Sequence, residues 1–396
     1  MGNVYIDIFS GCGGLSLGLR KAGWDCFFAI EKNEDAFSTY KHNILSDNSI
    51  WPNWLEMKAH DINEVMKVHE EKLLGLKGKI DLIAGGPPCQ GFSLAGKRDQ
   101  NDKRNKLVES YMKFIRMVEP EAVIFENVKG FTCDFENSTC KSGRYSSYVV
   151  NSLKRMGFNV GFRIFDMSRF GVPQKRKRFI LVGTKKESAD YIFDKIESGK
   201  SKFTFDRKIP RYPTVKDAIG DILSASGNTE SPDSKGFYAG VYGKSDSPYQ
   251  DYMRDNRKIQ CAVDSHRFVN HTKKIIEQHE KLLSENVRNI RITPSDGVVQ
   301  GLRRRGVTVL DADGISPTIT SIPDEILHYC EPRILTVREC ARIQSFPDSF
   351  EFKGKYTSGG PQRKMEVPRY TQVGNAVPPL FAEQIGLVFM EVFRRD

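Results

Sequence analysis

The chain has no cysteine spacing that would build a metal knuckle or a disulfide framework. Its eight cysteines (12, 26, 89, 133, 140, 261, 330 and 340) include no CxxC pair, which argues against a zinc ribbon and for a reducing compartment. Cys133 and Cys140, the closest two, have no second ligand pair nearby and read as surface loop. No apolar run reaches the roughly 20 residues a membrane span needs, and residues 1–7 run into a strand without a signal peptide, so a soluble cytoplasmic protein is expected. There is no internal repeat. Glycines 11, 13 and 14 do not make GxGxxG, because Ser16 stands at the third glycine's place, which disfavours a dinucleotide ligand. Acidic residues are outnumbered by basic ones, 50 to 60, for a net charge of +10, and this favours a polyanionic partner such as nucleic acid. With 396 residues, two domains are expected.

What is present centres on GGPPCQGFS, Gly85 to Ser93. The apolar run from Lys79 to Ala84 has strand length, and the glycines and prolines stop it. Cys89 would therefore sit at the mouth of a sheet, its backbone fixed by two prolines and followed by Gly91 and Gly96, which allow a loop to close. The bland alternative is a buried structural thiol. Lys97, Arg98, Lys103 and Arg104 are candidates to close on phosphates.

Earlier in the chain, strand Val4 to Phe9, the SGCGGLSLGL turn and a helix ended by Gly23 form the first unit of a doubly wound fold. The second strand, Cys26 to Ile30, ends in Glu31, about twenty residues past the glycines, where an acid can accept from ribose hydroxyls. Asp61-Ile62 could flank an adenine. An amphipathic helix from Leu107 to Val118 precedes strand Ala122 to Phe125, which carries Glu126 and Asn127 at its end and faces the same crevice as Cys89. In Gln174-Lys-Arg-Lys-Arg178, alternation puts Gln174, Arg176 and Arg178 on one face, so two guanidiniums could enter a site together. From Lys185 to about Ala312 regular alternation is lost and an irregular second domain is expected. LTVRECARIQSFPD (335–348) reads as a short helix closed by Pro347, and the prolines of QVGNAVPP (372–379) start a final apolar helix from Leu380 to Phe393.

Six of these stretches, in this order, resemble the C5-cytosine DNA methyltransferase family of bacterial and phage type: DIFSGCGGLS, GGPPCQGFS, ENV, QKRKR, RECARIQSFPD and QVGNAVPP. The resemblance implies an α/β fold, a Rossmann-like S-adenosylmethionine-dependent methyltransferase with a mixed, mostly parallel seven-stranded sheet. A smaller, irregular target-recognition domain would accompany it, and the last helix would pack beside the first motif. The expected division is 1–184, completed by 368–396, against 185–367, with target recognition in about 185–312. Carried over, Cys89 is the nucleophile, Glu126 the acid on the cytosine edge, Arg178 the holder of the base carbonyl and Arg176 its neighbour. Phe9, Ser10, Gly11, Cys12, Gly13, Gly14, Leu15, Glu31, Lys32, Asp61, Ile62, Pro87, Leu107, Asn375 and Ala376 would line the cofactor site, although Lys32 stands where some members have an aromatic. Pro88, Gln90, Ser93, Lys97, Arg98, Asn127 and Gln174 would meet the DNA, and Ala95 replaces a polar loop residue of some relatives.

The activity so implied is DNA (cytosine-5)-methylation of a flipped base within a specific duplex sequence, with S-adenosyl-L-homocysteine as by-product and no metal. A thiolate adding to carbon 6 makes carbon 5 enamine-like, which calls for cysteine rather than serine. Double-stranded DNA is the expected partner of a monomeric protein associated with the nucleoid through that DNA, and a separately acting restriction endonuclease is a candidate companion. A tRNA-cytosine methyltransferase of the same family and a non-catalytic DNA-binding relative stay open. An amino-group methyltransferase is disfavoured because no (N/D)PPY stretch occurs.

Overall fold

The computed structural model describes residues 3–46, 50–88, 106–132, 144–254, 262–297, 306–358, 362 and 366–393. The chain divides into two compact units, one of residues 1–166, 177–200 and 381–396 and one of 167–176 and 201–380.

In the first unit, strands β1 (Val4–Ile8), β2 (Asp25–Ile30), β3 (Leu82–Gly85), β4 (Ala122–Val128), β5 (Asn159–Asp166) and β6 (Lys177–Thr184) form a sheet in the order β2-β1-β3-β4-β6-β5. The first four pair in parallel, and β6 runs antiparallel to both β4 and β5. The sheet is thus mixed and mostly parallel. It has six strands among the described residues, where seven were expected. Central strands read as unbroken apolar runs because both sheet faces are covered. One face packs Ile6, Ile8, Ile83, Phe125 and Leu181 with Tyr111, Phe114 and Ile115 of a helix at Lys106–Val118.

Helix α1 (Gly14–Lys21) and helix α2 (Glu34–Ile44) lie close to the first two strands, and the Asn33 side chain caps α2 by accepting from Ala36 N at 3.0 Å. The final helix, Pro379–Phe393, returns to α1 as expected. A Cβ on its Gly386 would lie 2.7 Å from that of Ala22, and Trp24 Nε1 donates to Gly386 O at 2.9 Å, so glycine is what admits this close approach.

The second unit is less regular, with one three-stranded sheet from Asn228–Glu230, Tyr238–Val241 and Ala262–Arg267 and another from Arg291–Ile292, Val307–Val309 and Ile326–Leu327. Irregularity after Gly183 was overestimated: an 18-residue helix, Ala189–Asp206, follows β6. Its first half stays with the sheet through Arg163 and Asp194, 2.8 Å apart, and Phe165 against Phe193, and the first unit includes residues up to 200. Residues 368–380 fall with the second unit, where Tyr370 OH donates to Leu335 O at 2.7 Å. The helix expected to close at Pro347 spans Val337–Ile343, and Ser345, at φ 66°, turns the chain away before the proline.

Candidate active site

The sheet order reverses between β1 and β3, since β1 joins β2 on one side and β3 on the other. The carboxyl ends of strands at such a point open a crevice. After β1 the chain turns sharply, with Phe9 at φ 61°, Gly11 at 56° and Gly13 at 98°. Phe9 N donates to Ile30 O at 2.8 Å, which pins the turn to the end of β2. A non-glycine residue at positive φ carries strain, here in the loop where function was expected. Gly13 lies against the Tyr40 ring, 2.9 Å from where a Cβ would stand, whereas a Cβ on Gly11 would meet nothing within 4 Å.

Glu31 grips this loop. Its Oε2 accepts from Gly11 N at 3.0 Å and its Oε1 from Asn33 N at 2.8 Å. Burial raises its pKa, and the donated backbone hydrogens oppose the rise. Lys32 is exposed and pairs with Asp61 at 2.9 Å. Asp61 also caps the helix Ile62–Val68 by accepting from Asn63 N. Ile62 is directed into the core, 2 % exposed, so its reading as the face of an adenine site finds a buried side chain. Cys12, Gly14 and Leu15 are buried, and Leu107 is half-buried in the first turn of its helix. Ser10 Oγ is shut off from solvent without a hydrogen-bond partner.

The segment beginning at Gly85 leaves β3, which pairs with β1 next to this loop. A Cβ on Gly85 would come within 2.2 Å of Ile8 O, and one on Gly86 within 2.9 Å of Glu126 Oε2, so two glycines are required where the segment crosses β1 and the acid. Glu126 and Arg178 sit on adjacent antiparallel strands, two pairs apart in register and so on the same face. Arg178 Nε lies 3.0 Å from Glu126 Oε1, with both side chains 12–13 % exposed. Burial lowers the Arg178 pKa, and the Glu126 carboxylate opposes this. Asn127, on the opposite face of β4, donates to Pro87 O at 3.2 Å and holds the start of the loop. Pro87 is buried and Pro88 exposed. Cys89, Gln90, Ser93, Ala95, Lys97 and Arg98 lie outside the described residues, as do Lys103, Arg104, Cys133 and Cys140.

Alternation placed Gln174, Arg176 and Arg178 together, but the structure separates their tasks. Arg176 is fully buried within the second unit, where it donates to the carbonyls of Ile319 (3.1 Å), Gly374 (2.9 Å) and Ala376 (3.1 Å). Gln174, also buried, accepts from Ile319 N at 2.9 Å and donates to the Gln344 amide. Gln344 in turn donates to Ala376 O at 2.7 Å. The expected pair of inward guanidiniums is therefore one: Arg178 faces the acid, and Arg176 shapes the turn carrying exposed Asn375 and half-buried Ala376.

Sequence reasoning missed a polar floor beneath the glycine loop. Asp7, 1 % exposed, accepts from Ser16 Oγ at 2.6 Å, and Ser16 Oγ lies 2.7 Å from Tyr40 OH. Burial pushes the Asp7 carboxyl up to about 7, with the Ser16 hydroxyl pulling the other way. An acid within VYIDI and a serine in place of the third glycine were the available signals. Missed too were Arg338 and Arg342, both fully buried in the second unit. Arg342 bridges Asp221 and Asp348, with Nη2 2.6 Å from Asp348 Oδ2.

A C-5 cytosine-specific DNA methylase profile matches residues 4–390. The chain belongs to that family. The type II methyltransferase M.XorII of Xanthomonas oryzae pv. oryzae is 29% identical over 99% of this chain and 85% of its own length. M.DdeI of Desulfomicrobium norvegicum is 30% identical over 96% and 86%. The fold is shared with a DNA modification methyltransferase encoded within an E. coli prophage (TM-score 0.67, 23% identity, 99% of each chain covered). It is shared also with S. pombe Dnmt2 (TM-score 0.54, 15% identity, 99% of this chain and 98% of that one). Membership makes the protein an enzyme of the DNA (cytosine-5)-methyltransferase class, related to methyltransferases of restriction-modification systems. Among the described residues no cluster of His, Cys, Asp or Glu is arranged to hold a metal ion, and no single helix is long and apolar enough to cross a membrane.

Proposed function

We propose that the protein transfers a methyl group from S-adenosylmethionine to carbon 5 of a cytosine rotated out of duplex DNA, through a transient bond from Cys89 to carbon 6. The observation that carries this reading is the Glu126–Arg178 pair, which lies against Gly86 at the strand ends where the PPC loop begins. Glu126 would hydrogen-bond the ring nitrogen and amine of the base, and Arg178 its carbonyl, so that charge developing on the ring is drawn off as sulfur adds. Carbon 5 then takes the methyl group and loses its proton, and elimination of the thiolate restores the ring. A stacked, paired base is out of reach of these groups, which is why extrusion is required, at a cost of a few kcal/mol.

The loop suits the cofactor in three ways. Gly11 leaves open space, Glu31 keeps lone pairs for ribose hydroxyls, and the buried Ser10 hydroxyl lacks a partner that a polar group could supply. Phe9, Gly11, Gly13 and Glu31 would hold it, and Asp61 and Lys32 would border it. When bound, it supplies an electrophilic sulfonium methyl.

Cys89→Ala and Cys89→Ser should abolish methyl incorporation while duplex DNA is still bound; undiminished turnover in either removes the thiol from the mechanism. Incubating the enzyme with tRNA and duplex DNA in parallel, followed by bisulfite sequencing of the DNA, reports substrate class and target together.

A further inference from the structure

The polar floor under the glycine loop has a direction. Ser16 has a single hydroxyl hydrogen, and Asp7 Oδ2 takes it at 2.6 Å. The 2.7 Å approach of Ser16 Oγ to Tyr40 OH then needs the tyrosine to donate. With the tyrosine's hydrogen so used, its 3.2 Å contact with Cys26 Sγ has the thiol as donor. With Asp7 ionised, hydrogens therefore run one way, Cys26 to Tyr40 to Ser16 to Asp7, and each bond polarises the next. Tyr5 OH adds a long bond to Ser16 O at 3.5 Å.

This chain ties together the two ends of the loop. Asp7 lies two residues before Phe9, and Ser16 lies in the first turn of α1, three residues past Gly13. Tyr40 has a second task, since its ring forms the surface against which Gly13 turns. All four members are buried, so the arrangement had to be worth the loss of hydration at four polar groups. Apolar packing would hold a strand to a helix as well; what it would not do is set the position of a ring edge by a hydrogen bond at its far end.

We propose that Asp7 is a positioning residue for the methyl donor, acting through Ser16 and Tyr40 to hold the glycine loop in the shape that binds it. The proposal rests on the reading that this loop holds S-adenosylmethionine. Binding of S-adenosylmethionine by the wild-type enzyme, measured by titration calorimetry, tests that reading first; no binding there rejects the cofactor assignment itself. Given binding, Tyr40→Phe, which keeps the ring under Gly13 and removes only its hydroxyl, should weaken the methyl donor's affinity roughly tenfold, the scale of one buried hydrogen bond. Ser16→Ala and Asp7→Ala should do the same, and Asp7→Asn, which still accepts from Ser16, should recover most of the loss. DNA affinity should stay at the wild-type value in all four. Melting curves identify any variant that is unfolded at the titration temperature, and Tyr40→Phe is the mildest change. Wild-type cofactor affinity in folded Tyr40→Phe and Ser16→Ala overturns the proposal, as does an Asp7→Asn enzyme no better than Asp7→Ala.

Discussion

Replacing Glu126 by glutamine keeps the side chain's size and removes its charge. In the structure Oε1 faces Arg178 Nε at 3.0 Å, with both groups about seven-eighths withdrawn from water. Glutamine can still accept from that nitrogen, so the fold loses the difference between a charge-assisted and a neutral bond, about 1–2 kcal/mol and a few degrees of melting temperature. Activity should fall much further. A carboxyl that stabilises charge on the ring contributes a factor of about a hundred or more to turnover, equivalent to about 2.7 kcal/mol of barrier. The two losses separate in experiment: calorimetric melting gives the first, and tritiated methyl transfer to duplex DNA at saturating cofactor gives the second. A double-mutant cycle with Arg178→Gln should show coupling of about 0.5–3 kcal/mol in turnover, as expected of two groups that grip one base. A folded Glu126→Gln enzyme working within about fivefold of wild type would refute the reasoning and make the pair a structural clasp, since the charge itself is what the mechanism uses.

Gly13→Ala forces alanine to φ 98° and presses its methyl to 2.9 Å from the Tyr40 ring, so cofactor affinity should drop at least tenfold with about 2–4 kcal/mol of lost stability. Isothermal titration and melting check both parts. Arg176→Lys should not rescue Arg176→Ala, because an ammonium cannot serve three carbonyls in the planar fork that reaches 319, 374 and 376; both variants should melt early, and equal melting of Arg176→Lys and wild type contradicts this. The second unit should lose stability in acid in two stages. His266 and His328 are buried and held down to about 4 from 6.5, chiefly by desolvation, so the unfolded chain takes up protons first and each histidine costs up to about 3 kcal/mol as pH falls from 6.5 to 4. Glu339, whose carboxyl is pulled far down by Arg333, contributes stability that is complete above its unfolded value near 4.5 and is lost below it. A melting temperature flat from pH 7 to 5 would sink the histidine part.

The motifs were readable because each is a local demand of backbone geometry. Strand, glycine turn and helix follow from residues 4 to 23 alone, and the crossing of Gly85 and Gly86 over Ile8 and Glu126 explains why that stretch carries two glycines. The alternation of 174–178 was read correctly as to face, since Lys175 and Lys177 are exposed. It could not say that Arg176 ends among the carbonyls of 319, 374 and 376, because those partners are more than 140 residues away. The helix at 189–206 escaped notice for a related reason: its polar, serine- and lysine-bearing sequence has a weak helical stripe, and its start is held by sheet residues such as Phe165 and Arg163.

By itself, then, the order of residues carried the family resemblance and with it the reaction class, because the six motifs are short-range patterns, and it named Cys89 and Glu126 as the candidate groups. Tertiary structure alone decided which arginine meets the acid, that Ile62 belongs to the core, and that Asp7, Ser16 and Tyr40 close a chain beneath the loop. Those are choices of partner, and a buried polar group takes whichever distant donor or acceptor packing brings within about 3 Å.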